Sequence, residues 1–410
     1  MMTKASGMEM ALSGIRVIDF GAGGIDPITT SILADFGAEV IKVESYSKID
    51  FIRLSGRTID GTDDPNKDVH FARYNQNKFG VLINLKFPKG VALAKRLVST
   101  ADVVTENFTV GVLKRLGLGY DELRKVKPDI IYMSSSFGGQ EGPYRDFRGH
   151  GTHLACMAGL YDLTGWPDES VPLALAAFAD HSSPFLWATV IIAALEHRRQ
   201  TGRGQFIDAS SLEGCIDILD TAIADYSANQ RILTRQGNRH PAAAPHGVYR
   251  CQGKDRWCAI SIFTDEEWQS FGQALGNPAW AGEERFATLP GRLANADELD
   301  QLVEGWTHEQ EAEKVMLKLQ QAGIAAAVVE TARDLYQDPQ LAHRGHFWEL
   351  PEQDMKGYTF EAPAGCLSKT PASLQRRFPL LGEHNEHVFL ELLSLDPEEY
   401  KALVKEGVIS

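Results

Sequence analysis

Three places in the sequence carry residue types that can do chemistry. The first is Asp180, in the run LALAAFADHSSPF, where a carboxylate emerges from apolar surroundings just before an expected helix. A carboxylate partly stripped of water is a competent nucleophile, and backbone amides at a helix start can receive a developing oxyanion. The plainer alternative is that Ser183 caps the helix, Pro184 is its first residue, and Asp180 merely adds negative charge at the positive end. The second place is the turn GAGG at 21–24, which with Glu44 imitates the dinucleotide fingerprint G-x-G-x-x-G plus acid. Its third glycine is replaced by Asp26, whose charge would repel a pyrophosphate, so a tight packing turn is the better reading. The third is the loop RGHGTH with His150 and His153, able to shuttle protons but equally able to be solvated. The basic cluster Arg198, Arg199 and Arg203 suits the C-terminal end of a helix dipole and is assigned no ligand.

These residues need a scaffold, and the pattern supplies one. Ile15–Phe20 reads as a buried strand, Ile28–Phe36 as a helix stopped by Gly37, and Glu39–Val43 as a second strand: a parallel βαβ unit. The alternation continues with helices near 89–99 and 110–125 and strands Asp102–Thr105 and Asp129–Ser134. Strands that are apolar throughout predict burial on both faces, as in a Rossmann-like, doubly wound parallel sheet. The stretch 46–70 breaks the rhythm and reads as a surface excursion. Helices are expected at 152–164 and 184–199. After about 225 the chain turns polar and proline-bearing, then passes into short strands at Val248–Cys251, Trp257–Ile262 and Ala325–Val329. Helices near 265–275 and 308–322 accompany them, and a last helix is expected at 396–407. The predicted organisation is an α/β protein with a large domain over 1–225, a smaller α+β domain over 226–330, and a segment over 331–410 that returns to the first.

With 410 residues, 43% hydrophobic and 23% charged, the chain has the composition of a folded multidomain protein. Acidic groups outnumber basic ones by 55 to 41, a net charge of −14, which excludes a bulk nucleic-acid binder. Five scattered cysteines without metal spacing read as reduced thiols, and no metal site is expected. The longest apolar stretch, 185–195, is too short for a bilayer, and the N-terminus lacks a signal-peptide core. A cytoplasmic protein, off the membrane, is predicted.

Six segments, in order, resemble the class III (family III) CoA-transferases, the group that includes formyl-CoA and carnitine CoA-transferases and α-methylacyl-CoA racemases. They are LSGIRVIDFGAGG with ILADFGAEVIKVE (12–44), NQNKFGVLINLK (75–86), the stretch 101–144 containing ENFTVGVLKRL, ALEHRRQTGRGQFIDASSLEG (194–214), HPAAAPHGVYRCQG (240–253) and DPQLAHRGHF (338–347). The resemblance implies that Asp180 is the covalent nucleophile of a CoA-transferase that moves CoA from an acyl-CoA donor to a free carboxylic acid, and that coenzyme A is bound as part of the substrate. It also implies CoA contacts at Asn107, Phe108, Arg115 and Leu116, with Lys78 of the second segment and Arg53 of SKIDFIR as further positions. An interlocked dimer is implied, either a homodimer or a heterodimer with a paralogous subunit.

The chain departs from the pattern in several places. Ile25-Asp26-Pro27 replaces Ala-Gly-Pro, Ala179 replaces the glycine before the nucleophile, and SKIDFIR replaces the usual Gly-Asp-x-x-Arg loop. HPAAAPHG stands where formyl-CoA transferases carry a glycine tetrad, so an acyl group larger than formyl is expected. Two other readings remain open. His150 and Asp180 match the acid–base pair of the racemase branch, and a subunit of a hetero-oligomeric enzyme would have limited activity alone.

Overall fold

The computed structural model describes residues 9–168, 178–349 and 358–410. The N-terminal 1–8 and the apolar run 173–177 before Asp180, both read from sequence above, lie outside the described residues. The chain divides into two units, one of 1–160, 174–229 and 342–410, the other of 161–173 and 230–341.

The first unit is built on a parallel sheet of β1 (Arg16–Asp19), β2 (Glu39–Glu44), β3 (Phe79–Leu82), β4 (Val103–Glu106), β5 (Ile131–Ser136) and β6 (Phe206–Ser210). Its order is β3-β2-β1-β4-β5-β6, and all pairs are parallel. The order reverses between β1 and β4, where the crossovers diverge to opposite faces and leave a crevice at the strands' C-terminal ends. Alternate residues feed two cores. Ile18, Ile41, Val104 and Tyr132 face one, while Val17, Val40, Val103 and Ile131 face the other. The strands therefore read as continuous apolar runs.

The helices of this unit include α1 (Ile25–Asp35), α2 (Val69–Tyr74), α3 (Pro88–Val98), α4 (Val112–Arg115), α5 (Tyr120–Val126), α6 (Gly151–Met157), α7 (Leu160–Leu163, which crosses the boundary at 160), α8 (Phe178–Thr201) and α9 (Ser211–Ile216), with further helices Asp220–Asn229 and Pro397–Lys405. The single helix expected over 110–125 is two. Gly117 takes a positive φ of 76° that ends α4, and Gly119 caps α5. Strands β3 and β6 carry no alternation to announce them.

Helix α8 corrects the expected start at Ser183. It already includes Phe178, and Pro184 lies inside it. The stripe Ala179, Ser183, Trp187 and Ile191 is buried at helical spacing, and Ala179, Trp187 and Ile191 join the core that α1 also enters. That packing carries the helix past a residue unable to donate a ladder bond. Among the described residues α8 is the one helix long and apolar enough to cross a membrane by length and composition, and 33% of its apolar span is buried.

The tail closes the exposed edge of β3. His384 N–H donates to Gly80 O, Leu82 N–H donates to Asn385 Oδ1, and Asn84 N–H donates to Val408 O. Leu403, Val408 and Ile409 complete the core on that side.

The second unit has an antiparallel sheet of β7 (His246–Arg250), β8 (Trp257–Ser261) and β9 (Ala325–Val328), with β8 central. Helices Asp265–Ala274, Ala296–Thr307 and Ala312–Gln321 cover it through Phe271, Val303 and Val315.

Buried charge underlies the larger sheet. Lys78 and Asp19 are both fully buried and pair at 2.9 Å, with Lys78 also donating to Pro27 O and Asn75 Oδ1. Removing one partner of such a pair strands the other charge in the interior. Lys78→Met is expected to cost about 3–5 kcal/mol in urea unfolding, and Asp19→Asn added to it to recover part of the loss.

Candidate functional site

The turn after β1 sits at the reversal of strand order, and its backbone is fully engaged. Gly21 N–H donates to Asp19 Oδ1 at 2.8 Å, Ala22 N–H to Asn107 Oδ1 at 2.9 Å and Gly23 N–H to Asp50 Oδ1 at 3.0 Å. Asn107 returns a bond from Nδ2 to Ala22 O at 2.7 Å, and Lys42 Nζ reaches both Gly21 O and Asp50 Oδ2. Three amides that a dinucleotide pyrophosphate would need are thus taken by protein oxygens. Gly23 has φ 83°, and a Cβ there would meet the Phe51 ring at 2.6 Å. The turn is a rigid wall of the crevice.

Asp180 stands against that wall. A Cβ on Gly24, the residue that opens α1, would lie 3.2 Å from Asp180 Cβ and 3.5 Å from its Cγ. The first turn of α8 and the start of α1 therefore meet at this carboxyl, directly beside the crevice. Burial raises its pKa above the ordinary carboxylate range, and the imidazoles of His181 and His150 pull it partly back. Its charge in turn adds to the burial that raises the Tyr74 hydroxyl and pushes the Cys215 thiol up to about 11. The His181 ring packs edge-on to Tyr74, with centroids 5.9 Å apart. Tyr74, His181 and Cys215 were not singled out from sequence, because they reach the site from α2, α8 and α9, with no common spacing to mark them.

His150 is exposed and opens α6, with its ring 4.9 Å from that of His153. It acts on the Asp180 carboxyl electrostatically. Asn107 and Phe108 follow β4 across the crevice. Asn107 is tied to the turn as described, and Phe108 packs on the core beneath. Leu116 is packed there as well. Arg115 is exposed, and its guanidinium contacts Val110 O at 3.5 Å.

Arg53 and Lys78, expected as further CoA positions, are both buried in this structure. Arg53 is 2% exposed. Its guanidinium bonds Glu44, at 2.8 Å to Oε2, and Pro379 O, and it stacks 3.4 Å from the Phe71 ring centre. Lys78 is consumed by Asp19. Both charges neutralise buried carboxylates. The 46–70 excursion is accordingly anchored in the interior by Asp50 and Arg53. The amides of Ser182 and Ser183, expected to meet an oxyanion, lie in the ladder of α8, and Pro184 has none.

Asp26, the residue that breaks the fingerprint, is wholly buried, with both carboxyl oxygens unpartnered. Burial and neighbouring Asp19 hold its pKa well above the carboxylate range, although Thr105 opposes them. In the second unit a separate cleft of about 530 Å³ is lined by Trp166, Arg239, His246, Tyr249, Asp300 and Glu304. No residue singled out from sequence as a catalytic or CoA-binding candidate lines it. Among the described residues no cluster of His, Cys, Asp or Glu has the form of a metal site.

In open doubly wound sheets ligands bind at the reversal of strand order, and the half-buried Asp180 carboxyl lies beside that point. The chain belongs to the CoA-transferase family III, whose model matches residues 12–385. It is 33% identical over 398 residues to succinyl-CoA–D-citramalate CoA-transferase of Chloroflexus aurantiacus, covering 97% of this chain and 98% of that one. It is 32% identical over 397 residues to succinate–glutarate CoA-transferase of Agrobacterium fabrum, covering 96% and 99%. A solved CAIB/BAIF family protein from Brucella suis superposes with a TM-score of 0.86 at 31% identity, covering 93% of this chain and 99% of that one. The protein is an enzyme that transfers CoA.

The approach of Gly24 to Asp180 is testable. Gly24 has φ −95°, so a side chain there meets packing resistance only. Gly24→Val is expected to displace the carboxyl and lower kcat about 10²-fold, the scale for a misplacement near 1 Å, with the far-ultraviolet circular dichroism of the wild type.

Proposed function

We propose that the enzyme moves CoA from a donor acyl-CoA to a free carboxylic acid through covalent intermediates on Asp180. The observation that carries this reading is the half-buried, partly desolvated carboxyl at the strand-order reversal, held against Gly24. An Asp180 oxygen attacks the thioester carbonyl, the C–S bond breaks, and a mixed anhydride and CoA thiolate result. The thiolate attacks the aspartyl carbonyl of the anhydride, giving aspartyl-CoA and releasing the donor acid. An acceptor carboxylate attacks that thioester to give a second anhydride and thiolate. The thiolate then takes the acceptor acyl group and restores Asp180. Each step keeps the activation of the thioester so long as water is excluded.

Asn107, Phe108, Arg115 and Leu116 form the CoA segment in this reading, with Arg115 pairing a phosphate and Arg53 and Lys78 supporting from below. Amides of the 137–142 loop stabilise the tetrahedral oxyanions. The names of the two relatives point to succinyl-CoA or succinate as a substrate, so a dicarboxylic acyl-CoA, larger than formyl, is the first donor to test. His150 bears on Asp180 electrostatically, which favours a second reading, proton exchange at the acyl α-carbon by this pair. Deuterium incorporation there without an acceptor acid would identify it.

The apolar residues Phe185 and Ile192 of α8, with Ile223 and Tyr226 of the helix Asp220–Asn229, are exposed, which supports a second subunit. A relative 32% identical over 405 residues is named as the beta subunit of a succinyl-CoA–L-malate CoA-transferase, so the partner is a second copy or a paralogue. Sedimentation at micromolar concentration is expected to give a dimer for the homodimeric case. An inert chain revived by a paralogous subunit would identify the other.

Asp180→Asn is expected to abolish exchange, by at least about 10³-fold. Hydroxylamine should label Asp180 only when donor acyl-CoA is present, and labelling elsewhere would overturn the assignment. The nucleophile must be ionised and its pKa is raised, so kcat/KM should fall with decreasing pH. That acid limb should lie above the ordinary carboxylate range and be read from the pH–rate profile.

A further inference from the structure

Glu106 ends β4 immediately before Asn107 and Phe108, and it is 6% exposed. Its two oxygens serve different loops. Phe108 N–H donates to Oε2 at 2.8 Å, and the Ser134 hydroxyl donates to Oε1. Ser134, buried in β5, accepts in turn from Gln140 Nε2 at 2.8 Å. Gln140 belongs to the glycine loop 137–142, and its own N–H is held by both oxygens of Asp208 at 3.0 Å. A directed relay therefore runs from Gln140 through Ser134 to Glu106, where it meets the backbone of Phe108.

This carboxylate is costly. Burial pushes it up to about 7 despite both donors, and no cation is among the groups that hold it down. The other titratable groups that feel it, Asp26 on α1 and Tyr132 on β5, are raised by its charge in addition to burial. An apolar residue in this layer would be cheaper, so stability does not account for a carboxylate here. Its geometry does: only a group with two acceptors can face Phe108 N–H and the Ser134 hydroxyl at once.

We propose that Glu106 is a positioning residue that holds the CoA segment at 107–108 and the glycine loop 137–142 at one fixed spacing across the crevice, acting through Phe108 on one side and Ser134–Gln140 on the other. This rests on the proposed reading of 107–116 as the CoA segment and of the loop as oxyanion support. The two arms separate by substitution. In Glu106→Gln the amide oxygen still accepts from Phe108, but its NH2 competes with Gln140 for Ser134, and Ser134→Ala cuts the same arm. Glu106→Ala cuts both.

The experiment is steady-state kinetics of CoA exchange on the full-length enzyme with succinyl-CoA as donor, together with thermal unfolding of each variant. Glu106→Gln and Ser134→Ala are expected to lower kcat about tenfold with KM for succinyl-CoA within about twofold. Glu106→Ala should lower kcat similarly and also raise KM about tenfold. Wild-type kinetics in Ser134→Ala and Glu106→Gln would overturn the proposal, as would one equal drop in kcat for all three with KM unchanged. Should Glu106→Gln fail to fold, Ser134→Ala still decides the loop arm. Asn107→Ala separates the underlying reading. If KM is unmoved in Asn107→Ala, the CoA-segment assignment fails; if KM rises there but not in Glu106→Ala, only the role of Glu106 fails.

Discussion

In the proposed reading the Asp180 carboxylate has to be poorly hydrated yet reachable, and the meeting of α8 with the glycine at the start of α1 suits that balance. Were Gly24 any larger, Asp180 would be pushed from its place; were the carboxyl free in solvent, its hydration shell would blunt it. The sheet reversal supplies the gap, the glycine supplies the close approach, and the buried stripe of α8 aims the carboxyl into it. Everything else in the larger unit either builds that gap or holds its walls still.

The walls are held by ionic groups in the interior. Asp19, Lys42, Asp50, Glu44, Arg53 and Lys78 form pairs beneath the turn, and two of these carboxylates, Asp19 and Asp50, accept from the turn's backbone. This explains why residues with the right charges for a phosphate are not the ones exposed. In a strongly acidic protein, the cations nearest the sheet are drawn inward by carboxylates that have lost their water, and an exposed charge lies farther out, at Arg115.

Much of the fold was legible before any coordinates. Continuous apolar runs gave β1, β2, β4 and β5, because burial on both faces leaves that mark, and the glycine stops placed α1. Strands β3 and β6 were not legible as strands, since their neighbours along the chain are polar loops and their pairing is wholly non-local. The start of α8 was misread because Pro184 is a strong local signal for a first turn, and only tertiary packing overrides it. Of the site, Asp180, His150 and the segment from Asn107 to Leu116 could be named through motif resemblance. Arg53 and Lys78 were named through the same resemblance, and a motif match does not say that a side chain is buried. Glu106, Tyr74 and Cys215 were silent, since each acquires meaning from a neighbour remote along the chain.

Residues 384–410 have a consequence for folding during synthesis. Tyr46 N–H and Asn84 N–H bond to the carbonyls of Ser410 and Val408, and the margin of β3 is covered by 384–385. A nascent chain has made β1 to β5 long before these partners emerge, so one flank of its sheet stays unpaired until they do. Completion of the larger unit therefore waits for this segment, and a sheet deprived of it would carry an adhesive rim.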